Sequence, residues 1–223
     1  MDKGKILRFG LLQFIGTAVF TLGVASLVVA GLGAGPLDAA AYFASVKFGL
    51  TQGTWTFILN GFLALLLLLF QRKPTIIFNI VMLIFIGVLI DGWIYLLEKI
   101  YTISLPTTLY MTSGMAPALI LAIIGFVTIG FGVSVLIHNE LVLSPLDEFT
   151  VFLSGFTKKY FVAKITIDGS FLILAIILGL IGDKPLSAQI NFFSFIIVFG
   201  LGVYINLLLD LYKKRKEGKN ATK

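Results

Sequence analysis

Gly33-Ala34-Gly35-Pro36-Leu37-Asp38-Ala39-Ala40-Ala41-Tyr42-Phe43 follows the first long apolar run of this chain, and Leu143-Ser144-Pro145-Leu146-Asp147-Glu148-Phe149 follows the fourth. The Pro-Leu-Asp triplets at 36–38 and 145–147 stand 109 positions apart. In each, proline suits the first turn of a helix, where its missing N–H has no partner to lose. The acidic residue two positions on complements the positive end of the helix dipole. Each stretch predicts a helix of about 10–14 residues, about half of what a bilayer crossing needs, hence re-entrant or interfacial.

The match extends outward on both sides. At the same offset Gly16 falls on Gly125, Gly23-Val24 on Gly132-Val133 and Leu27 on Leu136. Further on, Asn60-Gly61 resembles Asp168-Gly169, Lys73-Pro74 resembles Lys184-Pro185, and Gly87-Val88-Leu89-Ile90-Asp91 resembles Gly202-Val203-Tyr204-Ile205-Asn206. The landmarks keep their order while the offset drifts, as small loop insertions would cause. The chain reads as one unit used twice: residues 1–100, then 116–212, followed by a basic tail at 213–223.

Composition places the unit in lipid. The chain is 58% hydrophobic and 13% charged, with mean hydropathy +1.04, against about 25% charged residues in a soluble domain. Six runs are long enough to cross about 30 Å of hydrocarbon, near residues 9–32, 53–70, 75–97, 116–137, 162–181 and 190–211. The Lys3, Lys5 and Arg8 cluster before the first run resembles a signal-peptide start. That run is too long for a signal core, and we read it as a retained helix. With the N-terminus in the cytoplasm, fourteen of the 17 Lys and Arg lie on inner segments, and only Lys47, Lys99 and Lys184 lie outside. This bias predicts both termini inside. Three spans per copy then force the second copy to enter from the opposite side. The expected fold is therefore an all-α membrane protein with six transmembrane helices in an inverted 3+3 repeat, and a half-helix or interfacial helix after the first and fourth spans.

The absence of cysteine excludes disulfides and thiolate sites, and the single histidine, His138, leaves no His-rich metal site. Net charge +6 sits at helix ends and in the tail, which points to anionic headgroups rather than nucleic acid. The glycines at 31, 33, 35, 130, 132, 200 and 202 suit helix packing and form no phosphate-binding loop. Gln13 and Asn79 read as interhelical hydrogen-bonding residues.

Acidic and amide groups at membrane depth are costly and should face the protein interior or water. Depth along each helix groups Asp38, Asn60 and Asp91 toward the outer side, and Asp147, Glu148, Asp168 and Asn206 toward the inner side. Asp38 and Asp147 also explain themselves as helix-start residues, with Gly35, Pro36 and Pro145 marking the starts. Asp168 lies within a span, with Lys164 one turn away as an ion-pair partner.

The Gly-x-Gly-Pro-Leu-Asp start, its Ser-Pro-Leu-Asp echo and the Gly-Val-Leu-Ile-Asp-Gly stretch at the end of the third helix resemble the YczE/YitT-type bacterial integral membrane proteins. The resemblance runs from about Gly16 to Asn206 and implies a multi-pass protein of the bacterial cytoplasmic membrane. Leu37 and Leu146 stand where that family often has an aromatic residue, and the second copy lacks paired glycines before Pro145.

Taken together, these features predict a small secondary transporter or channel for a small cationic, amine or proton-coupled solute, without cofactor or metal and not an enzyme. The alternatives are translocation of a lipid or lipid-linked precursor, with Lys158 and Lys159 as headgroup contacts, and a non-transporting scaffold or assembly partner. Oligomeric state stays open.

Overall fold

The computed structural model describes residues 3–71, 75–101, 108–157, 160–182 and 184–221. In chain order the helices are α1 (Lys3–Ala30), α2 (Pro36–Phe48), α3 (Gln52–Gln71), α4 (Thr75–Tyr101), α5 (Leu109–Ser113), α6 (Met115–His138), α7 (Pro145–Thr157), α8 (Tyr160–Ile181) and α9 (Phe192–Ala221), with a 3₁₀ turn at Leu186–Ala188. No strand occurs among the described residues. Among the described residues six helices are long and apolar enough to cross a membrane: α1, α3, α4, α6, α8 and α9. Large apolar side chains such as Phe62, Leu69, Val81, Ile120, Ile173, Leu180 and Val203 are exposed on their outer faces, as lipid contact requires.

The predicted spans differ from the observed helices mainly at their ends. α1 starts six residues before the apolar run, through the basic cluster. α9 continues through Ala221, so the tail is the last turns of a helix rather than a separate element. Both short segments are helices of 13 residues. The succession of long, short, long and long helix thus occurs twice, as α1–α4 and as α6–α9.

The packing repeats as well. α1 packs on α6, and these two are half or more buried while the other spans are a third or less. Each half-helix lies against α3 and α8, and α4 packs on α1 and α3 as α9 packs on α6 and α8. The α1–α6 seam is set by glycines. Gly16 faces Leu136 and Gly132, Gly23 faces Ile129, Gly125 faces Gly23 and Leu27, and Gly132 faces Phe20. Rising numbers on α1 meet falling numbers on α6, so the two helices run antiparallel. A Cβ on Gly23 would sit 2.7 Å from the Ile129 backbone nitrogen, and one on Gly132 would sit 2.6 Å from that of Phe20. Main chains meet here without side chains between them, the close approach that small residues permit in lipid.

The chain enters each half-helix through a loop tied down by an amide side chain. Gly31 (φ 70°) and Gly33 (φ 135°) adopt positive φ after α1, and a Cβ would sit 2.3 Å from Thr108 Oγ1 on the first and 2.5 Å from the Ser194 backbone nitrogen on the second, so backbone conformation and close packing both call for glycine there. Ala34 N–H donates to the Gln189 carbonyl (3.0 Å), and Asn191 Nδ2 donates to the Gly31 carbonyl (3.1 Å). In the second copy Gln13 clasps the loop from both sides: its Nε2 donates to the Val142 carbonyl (3.1 Å), and its Oε1 accepts from Val142 N–H (2.9 Å). Gln13 therefore bonds to a loop backbone, whereas Asn79 does join two helices, donating to Glu148 of α7.

Candidate substrate cavity

The two loops carry their half-helices to the same place. A cavity of about 70 Å³ in the middle of the bundle is lined by Gly35, Pro36, Leu37 and Asp38 from the start of α2, and by Ser144, Leu146 and Asp147 from the start of α7. Thr56 and Asn60 of α3, Lys164 and Asp168 of α8, and apolar residues of α1, α4, α6 and α9 complete it. Thr56 and Lys164 each lie four residues into their helix, about 6 Å along the axis. At about 10–15 Å³ per water-sized sphere, the cavity has room for about five to seven such spheres.

The two halves of the chain contribute equally to the lining. Ten residues come from each half, and nine of the ten pair. At offset 109 the pairs are Phe20 with Ile129, Val24 with Val133, Gly35 with Ser144, Leu37 with Leu146 and Asp38 with Asp147. At offset 108 they are Thr56 with Lys164 and Asn60 with Asp168, and at offset 115 Ile86 with Leu201 and Ile90 with Ile205.

The polar contacts differ between the halves. At the start of α7, Ser144 Oγ donates to Asp147 Oδ2 (2.8 Å) and accepts from Asp147 N–H (3.3 Å), a side-chain cap. Asn60 crosses from the first copy to accept Leu146 N–H (3.3 Å), while its Nδ2 donates to the Thr56 carbonyl (3.0 Å). At the start of α2, Gly35 offers no side chain, and the Asp38 carboxylate accepts no hydrogen bond among the described residues. Lys164 Nζ pairs with Asp168 Oδ1 at 2.9 Å, one helical turn apart, with both side chains largely buried. Asp38 is attracted to Lys164 and repelled by Asp168 and Asp147. The Thr56 hydroxyl, on a residue 3% exposed, is buried without a hydrogen-bond partner. The three aspartates surround the space without converging: among the described residues no three His, Cys, Asp or Glu side chains gather as metal ligands.

Four of the seven polar residues singled out from sequence, Asp38, Asn60, Asp147 and Asp168, share this one cavity. They do not divide into outer and inner clusters, because each half-helix begins deep in the bundle rather than at its surface. Of the marked helix starts, Gly35 and Pro36 line the cavity, and Pro145 is buried beside it. The other three lie elsewhere. Asp91 holds the start of α3, accepting Gly53 N–H (2.7 Å) and the Thr51 hydroxyl (2.6 Å). Glu148 accepts from Asn79, and Asn206 is exposed on α9. Lys158 and Lys159 lie outside the described residues. Sequence reasoning missed Thr56 and Ser144, although the repeat offsets align them with Lys164 and Gly35.

Fold and cavity define a polytopic α-helical membrane protein with a polar centre. Residues 6–210 match a protein family described as of unknown function, DUF6198, and the chain belongs to that family. It is 29% identical over 164 residues to the uncharacterized protein YyaS of Bacillus subtilis strain 168, covering 73% of this chain and 77% of YyaS. It is 30% identical over 150 residues to the uncharacterized membrane protein YczE of the same organism, covering 66% of this chain and 63% of YczE. The likeness to YczE agrees with the family suggested by the Pro-Leu-Asp motifs. No solved structure matches the chain.

Proposed function

We propose that this chain is a small secondary transporter or channel of the bacterial cytoplasmic membrane, with both termini in the cytoplasm, carrying a small cationic, amine or proton-coupled solute. The observation that carries this reading is the single cavity entered by both half-helix starts and lined by equivalent residues from two halves whose first helices run antiparallel. In an inverted repeat a pseudo-twofold axis lies in the membrane plane and passes through such a cavity. Exchange of the two copies' conformations then turns a site open to one face into a site open to the other. Three aspartates against one lysine leave the lining acidic, which the two half-helix starts offset only in part. This balance favours a positive charge in the cavity. A catalytic role is not part of this reading, and the bilayer and the solute are its only partners.

Proteoliposome uptake screened over small cations, amines and amino acids, with and without a proton gradient, tests the proposal. We expect saturable uptake of at least one cationic solute, reduced at least tenfold by Asp168→Asn and by Asp38→Asn. Uptake and proton dependence that are unchanged in both variants overturn it.

A further inference from the structure

Lys164 already displays, inside the cavity, the contact that a substrate would make. Its Nζ is a primary ammonium on a four-carbon stem, and it donates to Asp168 Oδ1 at 2.9 Å in a site walled largely by apolar side chains. A second buried acceptor, the Thr56 hydroxyl, borders the same space with no hydrogen-bond partner. The carboxylate of Asp38 also borders it and accepts no hydrogen bond among the described residues. N–H groups fit these acceptors, and a carboxylate favours those that carry a positive charge. Three carboxylates around a space, not gathered into one ligand set, suit a cation that offers several directed hydrogen bonds better than a bare metal ion, which needs oxygens converging at a fixed radius.

We infer that the cavity recognises a small primary ammonium, and that Lys164 is a tethered occupant of that site which the incoming ammonium displaces from Asp168. The inference rests on the cation reading given above and narrows it to a chemical class. About 70 Å³ admits ammonium, methylammonium or ethylammonium. The repeat locates the device. Thr56 and Asn60 occupy in α3 the places that Lys164 and Asp168 hold in α8, so the duplicated frame offers the same space from both sides, and only one side carries its own cation.

The test is binding to the full-length protein in lipid nanodiscs, by calorimetric titration at constant ionic strength. The probes are methylammonium, tetramethylammonium, which has equal charge but no N–H, and potassium. Methylammonium is expected to bind saturably, and tetramethylammonium and potassium at least tenfold more weakly. Lys164→Gln, which removes the tethered competitor, is expected to bind methylammonium at least tenfold more tightly than the natural chain. Asp168→Asn is expected to lose binding. Lys164→Thr combined with Asp168→Asn copies the pair at 56 and 60, keeps the formal charge of the cavity, and serves if Lys164→Gln does not fold; it too is expected to lose methylammonium. Potassium binding as tightly as methylammonium, or unaltered methylammonium affinity in Lys164→Gln or in the double variant, overturns the inference. Methylammonium flux into proteoliposomes separates the two levels. Binding without flux removes the transport reading and leaves this inference standing. Flux of another solute with no methylammonium binding in any variant does the reverse.

Discussion

The two halves of the cavity are built alike and charged differently. Thr56 and Asn60 form a neutral pair one turn apart on α3, and Asn60 spends its oxygen on the first turn of the opposite copy's half-helix. Lys164 and Asp168 occupy the equivalent turns of α8 and form an ion pair. The recurring helix order supplies a frame with two similar sides; two positions give one side a cation and its counter-ion. The geometry of the site therefore belongs to the repeat, and its chemistry to the difference between the copies.

The largest effect should come from breaking the charged side. Asp168→Ala leaves the Lys164 ammonium buried beside the cavity with its nearest counter-ion gone. Such a loss costs about 3–5 kcal/mol in a buried pair. Asn60→Ala, at the equivalent place, removes neutral hydrogen bonds and should cost about 1–2 kcal/mol. Thermal unfolding in detergent micelles measures both. Equal losses at the two positions would show that the charge difference between the copies carries no energetic weight.

Next comes the frame. Gly23 and Gly132 are equivalent by the repeat, and each would place a Cβ against a backbone nitrogen of the other central helix. Gly23→Ala and Gly132→Ala should each cost about 1–3 kcal/mol as overpacking of a tight seam. The two values should agree within about 0.5 kcal/mol. Disagreement well beyond that would break the equivalence of the halves at its centre.

A smaller contrast concerns the ends of the aligned Gly-Val-x-Ile segments. Asp91 receives two hydrogen bonds at the start of α3, whereas Asn206 is exposed and makes none among the described residues. Asp91→Ala should lower stability by about 1 kcal/mol, as loss of a helix cap does, and leave uptake per folded molecule unchanged. Asn206→Ala should change neither. Loss of uptake in a stable Asp91→Ala protein would return Asp91 to the solute path.

These contrasts also show what could be read from the sequence and what could not. Spans were legible because a bilayer imposes a length, and the half-helices because proline and aspartate mark a helix start that is too short to cross. The recurrence of the half-helix was legible from Pro-Leu-Asp and its flanking glycines. Depth was not. The loops before both half-helices re-enter the bundle, and a helix-start signal does not say where in the bilayer the helix starts. One cue was present: no charged residue stands between Arg8 and Asp38, nor between Glu140 and Asp147, so nothing anchors either loop tip at a surface. Azimuth was not legible either. Ile90 and Ile205 line the cavity, and Asp91 and Asn206, one residue on, point about 100° away. The same step separates Asp147, in the cavity, from Glu148, outside it. Grouping by depth alone could not divide these neighbours.

The finest difference lies in the entry loops. Gly31 adopts φ 70° where the chain turns back after α1, and its equivalent, Glu140, adopts φ 52°. The second copy thus keeps the left-handed turn after losing the glycine that makes it easy. A side chain in that conformation costs about 1–2 kcal/mol, while glycine adds about 0.5–1 kcal/mol of unfolded-state entropy. Glu140→Gly should therefore be close to neutral or stabilising by about 0.5 kcal/mol, a rise of about 1–2 °C for a chain of this size. Glu140→Ala retains the strained angle and should bring no such gain. The converse change, Gly31→Ala, meets both the angle and the Thr108 side chain, which would lie 2.4 Å from the new Cβ at its own Cβ, and should destabilise by more than 1 kcal/mol. If Gly31→Ala were as mild as Glu140→Gly, the two loops would not be the same turn, and the equivalence of the copies would end at their helices.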